Sequence, residues 1–447
     1  MKKLLEDAAR RSIEYRLRIE DRDVAPDAKS VAALESFREA IPEEGSDAGQ
    51  TIAMLDELGS PAAVAMTGPR YFGFVIGGSV PVSLAANWLA GAWDQNAAMH
   101  EVTPAVAILE EVSIEWMLDL LGLPAQSGAA VVTGATVANF TALAAARNSV
   151  LANEGWDVKA DGLFGAPEIT VVVGAEAHTT LLKSLSMLGL GQDRVRTVAV
   201  DEQGRMRMDD LPPIKGPTII CTQAGNINTG SFDPVDEICN RAEPGNVWVH
   251  VDGAFGLWAA ASPRLKHLCA GVWRADSWAT DAHKWLNVPY DCGIAFVRDD
   301  AALKSVMAIT APYLNTESEF RNPSDYTPEL SRRARGVDLW AALRTLGRSG
   351  VTALVERCCR HAQRFGDELG KAGFDVLNDV VLNQVLVSFG DTQTTVKVVD
   401  AIQKDGTCWC GSTVWQGRTA MRISVSNWST TDEDVTASLA AMIRLAR

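Results

Sequence analysis

Six short runs of apolar, largely β-branched residues mark the middle of the chain: AAVVT at 129–133, EITVVVG at 168–174, TIICT at 218–222, VWVHVD at 247–252, SWAT at 277–280 and GIAFV at 293–297. Helical stretches separate them. Unbroken apolar runs of this length suit strands covered on both faces, and their alternation with helices predicts βαβ units in a mainly parallel sheet, an α/β fold. After about residue 340 the order changes to helix, strands, helix. A long helix carries Leu354, Cys358, His361, Phe365 and Leu369 on one face, and strands lie within FDVLN, NQVLVSF, TVW and MRISV. A last helix is capped at Thr430 or Thr431, with Asp432, Glu433 and Asp434 in its first turn. That part reads as a smaller α+β domain. The 447 residues are enough for two or three domains. They divide into a charge-rich helical segment over 1–68, a large α/β domain over 69–340 and the small domain over 341–447. Ahead of the first strand a helix starts at Thr103-Pro104, with Thr103 as its cap and Leu109, Val112, Trp116 and Leu120 as its apolar stripe. Glu110, Glu111, Glu115 and Asp119 fall on its other faces.

Composition removes several classes of function. Lys and Arg number 41 against 56 Asp and Glu, a net charge of −15 that repels phosphate polymers and argues against nucleic acid as a partner. The eight cysteines contain no CxxC pair, which speaks against a zinc ribbon and for reduced thiols in the cytoplasm. His100, His250, His267 and His361 lack metal-ligand spacing, so no metal is expected. Acids and arginines interrupt the start of the chain before any apolar targeting stretch forms. Residues 71–93 carry no charge, yet Pro81 and glycines 73, 77, 78 and 91 suit a buried or subunit-interface segment better than a membrane span.

Chemistry-bearing residues collect where the strands end, which is where open α/β sheets bind ligands. Gly134-Ala135-Thr136 opens a helix and is either an anion cradle or a glycine-containing cap. His178 follows the second run, where an imidazole could stack on a flat ring or simply be hydrogen-bonded. Asp252 ends the fourth run and needs a partner if buried, whether a cap, an ion pair or a protonated pyridine nitrogen. Asp281, His283 and Lys284 follow the fifth, and a lysine in so apolar a context is either a nucleophile toward aldehydes or a surface residue packed on Trp285.

Together, HVDGAFGLWA (250–259), RADSWATDAHKWLNVPYDCG (274–293) and AEAHTTLLKSLSMLG (175–189) resemble the group II pyridoxal-phosphate-dependent amino acid decarboxylases, and the likeness covers nearly the whole chain. The resemblance implies the aspartate aminotransferase-like fold (fold type I), pyridoxal 5'-phosphate as cofactor and a homodimer with the active site at its interface. It implies that Lys284 forms a Schiff base with the cofactor, Asp252 pairs with the ring nitrogen, and His178 stacks on the ring with Ala254 beneath it. Ala135, Thr136 and His283 would hold the phosphate. Tyr313, in APYLNTE, would protonate the product carbon from a loop after the lysine. Asn226 stands where relatives carry a hydroxyl that supports the cofactor, and Asp281 where many carry Asn. Phe74, Val75, Ile76 and Gly77 fall where relatives line the substrate pocket, and their apolar character suggests an aromatic or other apolar L-amino acid. The expected reaction is loss of CO2 to give the amine, a step in carboxylic acid metabolism. A related pyridoxal enzyme with another outcome (aldehyde synthase, carbon–carbon lyase or aminotransferase) is the alternative, and Tyr313 speaks against the aldehyde synthases.

Overall fold

A computed structural model describes residues 1–243, 245–309 and 320–447. The chain forms two compact units. One holds Ser79–Gln363 and Asn378–Val385; the other holds Met1–Gly78, Arg364–Leu377 and Leu386–Arg447.

The first of these is built on seven strands: β1 (Gly128–Val132), β2 (Thr170–Gly174), β3 (Arg196–Val198), β4 (Thr218–Gln223), β5 (Val247–Asp252), β6 (Ser277–Asp281) and β7 (Gly293–Val297). Their order across the sheet is β1-β7-β6-β5-β4-β2-β3. β7 runs antiparallel to both β1 and β6, and the pairings from β6 to β3 are parallel. β1, β4, β6 and β7 are buried along their whole length, as the unbroken apolar runs require. β3 is an edge strand, three residues long with two of them exposed, and it carries no apolar run to announce it.

The helix Ala135–Ala152 lies against this sheet through Ala138, Ala142, Ala145 and Ala146, all fully buried. Small side chains let its axis approach the strands closely, and the same layer takes in Leu143, Val150, Leu181 and Leu185. Each fully buried Leu or Val contributes about 1.5–3 kcal/mol. The close approach is tightest at the helix start, where a Cβ on Gly293 would lie 2.4 Å from the Cα of Gly134. Glycine at 293 is therefore what allows the turn at 134 to sit over β7.

The helix Pro104–Leu121 forms as its proline at the first turn and Gly122 in the left-handed region at its end dictate. Two expectations for it need correcting. Thr103 makes no capping hydrogen bond through its side chain; Pro104 has already removed one of the amides a cap would serve. The buried face is also rotated from the expected stripe. It comprises Val106, Ala107, Glu110, Ser113, Ile114, Met117, Leu118, Leu120 and Leu121, so that of the expected stripe Leu120 is buried while Trp116 is 37% exposed. Glu110 can lie inside because arginines reach it from elsewhere in the chain, which no local periodicity reveals.

A four-stranded sheet in the order β10-β11-β9-β8, with β8 Asp375–Val376, β9 Gln384–Ser388, β10 Gly411–Trp415 and β11 Arg418–Ser424, belongs, apart from the first two residues of β9, to the other unit. Its final helix, Asp432–Leu445, is capped by Thr431, whose hydroxyl accepts from the amide of Asp434 while the Asp434 carboxylate accepts from the Thr431 amide. The helix Lys2–Leu17 in this unit buries none of its residues. Among the described residues no helix is long and apolar enough to cross a membrane.

Candidate active site

A cavity of about 360 Å³ opens at the carboxyl ends of β1, β4, β5 and β6. Its walls include Ala135, Thr136, His178, Asp252, Ala254, Asp281, His283 and Lys284, residues that come from four separate segments of sequence. Three of these segments are the turns after β1, β2 and β6, and the remainder come from β5 with the turn that follows it. Gln223, Gly225, Phe255 and Tyr290 complete much of the rest.

Asp281, only 2% exposed, organises one side. Its Oδ1 accepts from the Ala135 amide at 2.7 Å, its Oδ2 lies 3.1 Å from Lys284 Nζ, and His283 Nε2 is 3.6 Å from Oδ1. Its charge is thus hydrogen-bonded to a helix N-terminus and paired with an ammonium. His283 accepts from the Cys292 amide at Nδ1, 3.1 Å, and stacks on Tyr290 with centroids 4.3 Å apart. Burial pushes its pKa below the ordinary histidine value, so at neutral pH the ring is uncharged and its proton sits on Nε2.

Asp252 ends β5 at 5% exposure. Its Oδ2 accepts from Asn139 Nδ2 at 3.1 Å and its Oδ1 from the Ala254 amide at 3.2 Å. His178 caps the helix Thr179–Met187, with Nδ1 accepting from the Thr180 amide at 3.3 Å and lying 2.7 Å from the Thr180 hydroxyl. A histidine serving as a cap and one lining a cavity are the same residue here.

Other expected site residues are not among the described residues that line the cavity. Asn226 does not line the cavity: its Nδ2 donates to Glu176 Oε2 at 3.0 Å, and its Oδ1 accepts from the amides of Asn228 and Thr229. Phe74, Val75, Ile76 and Gly77 belong to the other unit, where Phe74 stacks on Trp409 and, like Val75, adopts a positive φ. Tyr313 lies outside the described residues. Among the described residues no cluster of His, Cys, Asp and Glu could hold a metal ion.

Sequence reading missed Asn139, His250, Ser277 and Trp248, which form a polar layer behind Asp252. A signal was present. In VWVHVD the valines fall on one side of β5 and Trp248, His250 and Asp252 on the other, a polar stripe inside a buried strand.

A parallel-dominated sheet with a lysine, a buried carboxylate and a helix N-terminus at its strand ends is the arrangement of a fold-type-I pyridoxal phosphate enzyme. The chain belongs to the pyridoxal-dependent decarboxylase family, whose pattern, described as "Pyridoxal-dependent decarboxylase conserved domain", matches residues 34–390. Pyridoxal phosphate is its cofactor. It is 30% identical over 360 residues to the acidic amino acid decarboxylase GADL1 of Mus musculus, a match that takes in 77% of this chain and 64% of that protein. It is 25% identical over 446 residues to the aromatic-L-amino-acid decarboxylase of Bacillus atrophaeus, covering 95% of this chain and 90% of the other. In fold it is similar to the crystal structure of Oryza sativa TDC with PLP and tryptamine, at TM-score 0.91 and 22% identity over 100% of this chain and 97% of that one. The crystal structure of mouse CSAD gives the same TM-score and identity, over 100% and 98%.

Proposed function

We propose that this chain converts an L-amino acid, aromatic or otherwise apolar, to the corresponding amine and CO2, with pyridoxal phosphate held in the cavity at the strand ends. One observation carries the reading: an amine on the turn after β6 and a buried, doubly hydrogen-bonded carboxylate at the end of β5 face the same cavity. The residues suit the cofactor by their own chemistry. Lys284 is an amine for its aldehyde, Asp252 an acceptor for a protonated ring nitrogen, and Ala135, Thr136 and His283 supply donors for its phosphate at a helix start. His178 and Ala254 would flank the ring. When bound, the cofactor supplies an electron sink for the pair left behind as the carboxylate departs.

The protein's part is to hold charges and protons in place. Asp252 is oriented by two hydrogen bonds, one N–H to each of its oxygens. His178 receives the Thr180 amide at Nδ1, which leaves Nε2 as the position for a ring proton. Asp281 holds the Lys284 ammonium. Tyr313 remains in the proposal on sequence resemblance alone, as the donor of a proton to the product carbon.

Helix Lys2–Leu17, with no buried residue and with Leu5 and Leu17 more than half exposed, supports a homodimer in which a second copy covers it. Eight cysteines outside any disulfide support a cytoplasmic location. The test is to incubate the purified protein with pyridoxal phosphate and each of the twenty amino acids, measuring CO2 and amine together. Stoichiometric release from an aromatic or apolar substrate is the expected result. Release from acidic substrates alone, as the name of the mouse relative would suggest, overturns the substrate class and leaves the reaction standing.

The same site yields a prediction about affinity. Asp281 occupies the amide of Ala135 that a phosphate would use. Asp281→Asn removes the negative charge and keeps an acceptor oxygen, so the dissociation constant for pyridoxal phosphate should fall about fivefold as repulsion is relieved. A fluorescence titration that shows unchanged or weaker binding places the phosphate away from Asp281.

A further inference from the structure

Behind Asp252 runs a chain of four buried side chains. Trp248 Nε1 is 2.8 Å from Ser277 Oγ, which is 2.8 Å from His250 Nδ1; His250 Nε2 is 2.8 Å from Asn139 Oδ1, and Asn139 Nδ2 is 3.1 Å from Asp252 Oδ2. His250, Ser277 and Asn139 are wholly shielded from solvent. The sheet register explains the meeting, since His250 pairs with Ser277 across β5 and β6, and the helix Ala135–Ala152 lays Asn139 over them.

The direction of every link follows from chemistry. The Asp252 carboxylate can only accept, so Asn139 turns its NH2 toward it and its Oδ1 toward His250 Nε2–H, and the Ser277 oxygen, which accepts from the indole N–H, gives its own proton to His250 Nδ1. Burial pushes the His250 pKa down to about 3, so the ring is neutral. With Nδ1 accepting, its single proton is on Nε2 and is given to Asn139 Oδ1. That orients the amide, leaving its NH2 toward Asp252. The chain has one polarity and ends on the carboxylate.

We propose that Trp248, Ser277, His250 and Asn139 are positioning residues that act as a one-way hydrogen-bond relay, holding Asp252 as an oriented carboxylate and so setting how tightly the site grips the ring nitrogen of pyridoxal phosphate. The proposal rests on the reading that Asp252 faces that nitrogen. Its force lies in the distance over which it acts. Without the Ser277 hydroxyl, His250 Nδ1 loses its donor and the proton on Nε2 is held only from the Asn139 side. The other tautomer would present a lone pair to Asn139 Oδ1, the amide would turn, and its oxygen would face Asp252, acceptor against acceptor.

The experiment compares release of pyridoxal phosphate from the loaded full-length protein, followed by absorbance, in wild type, Ser277→Ala, Trp248→Phe, Asp252→Asn and the double variant Ser277→Ala/Asp252→Asn. Trp248→Phe keeps an aromatic ring in place and removes only the terminal donor, which guards against loss of folding in a harsher change. Expected are about tenfold faster release for Ser277→Ala, a smaller increase for Trp248→Phe, and an altered absorption spectrum of the bound cofactor in both. On the Asp252→Asn background Ser277→Ala should add nothing, because the charge it serves is gone. If Asp252→Asn speeds release while Ser277→Ala and Trp248→Phe behave as wild type, the relay is overturned and the reading of Asp252 survives. If Ser277→Ala is as damaging on the Asp252→Asn background as alone, the residues are mere packing and the relay is equally overturned. If Asp252→Asn changes neither release nor spectrum, the reading of Asp252 falls and takes the relay with it.

Discussion

Lys284→Ala should give a folded protein that no longer binds pyridoxal phosphate covalently and forms amine at least roughly 10³-fold more slowly. Residue 284 sits on the turn after β6, half-buried, with Nζ 3.1 Å from Asp281 Oδ2 and lining the same cavity as Asp252. Truncation removes the amine and leaves the strand, the turn and the cavity walls intact. Asp281 loses a cation but keeps the Ala135 amide and the neighbouring His283, so its carboxylate still has partners. The loss should therefore be chemical and not one of folding. Two measurements check it. Visible absorbance of the bound cofactor should vanish in the variant, and borohydride treatment should add the cofactor's mass to wild type at residue 284 and to no residue of the variant. Undiminished covalent attachment in Lys284→Ala would overturn the assignment of this lysine, and with it the proposed site.

Much of this is legible in the amino-acid sequence. Fully buried strands leave long apolar runs, and β1, β4, β5, β6 and β7 were each visible to within a residue. The turns that follow them were therefore visible too, and with them Ala135, Asp252 and Lys284. What escaped notice depends on partners distant in sequence. β3 is an edge strand with two exposed residues, so its composition carries no signal. Asn226 has the right residue type on the right loop, yet Glu176 and two backbone amides take up its side chain. His250 lacks metal spacing and so attracted no attention, although its position two residues before Asp252 on a buried strand places it in the second layer of the same site. Tertiary contact, not local pattern, decides cases of this kind.

Glu110 is the strongest instance, and it supports the largest stability prediction. From periodicity it falls on the solvent side of its helix; in the structure it is fully buried between two arginines. Its Oε2 is 3.1 Å from Arg332 Nη2 and its Oε1 3.2 Å from Arg321 Nη1. Arg332, equally buried, also donates to the carbonyls of Ala97 and Val131, and Arg321 donates to Ala129 at 2.6 Å. Ala129 and Val131 belong to β1, the strand that leads into the Gly134 turn at the cavity, so the triad ties the helix Pro104–Leu121 to that strand. Glu110→Leu leaves the Arg332 guanidinium buried without its counter-ion, at a cost of about 3–5 kcal/mol. Arg321 suffers less, since its guanidinium also lies 4.1 Å above the Tyr326 ring. The expected result is a thermal midpoint lower by roughly 5–10 °C. A purely apolar pair should behave differently: in Glu110→Leu/Arg332→Met both buried charges leave together, and the midpoint should recover most of the loss. Calorimetry on the two variants separates the alternatives, because a double variant as unstable as the single one would mean that the hydrogen bonds from Arg332 to Ala97 and Val131, and not the buried charge, are what the fold requires.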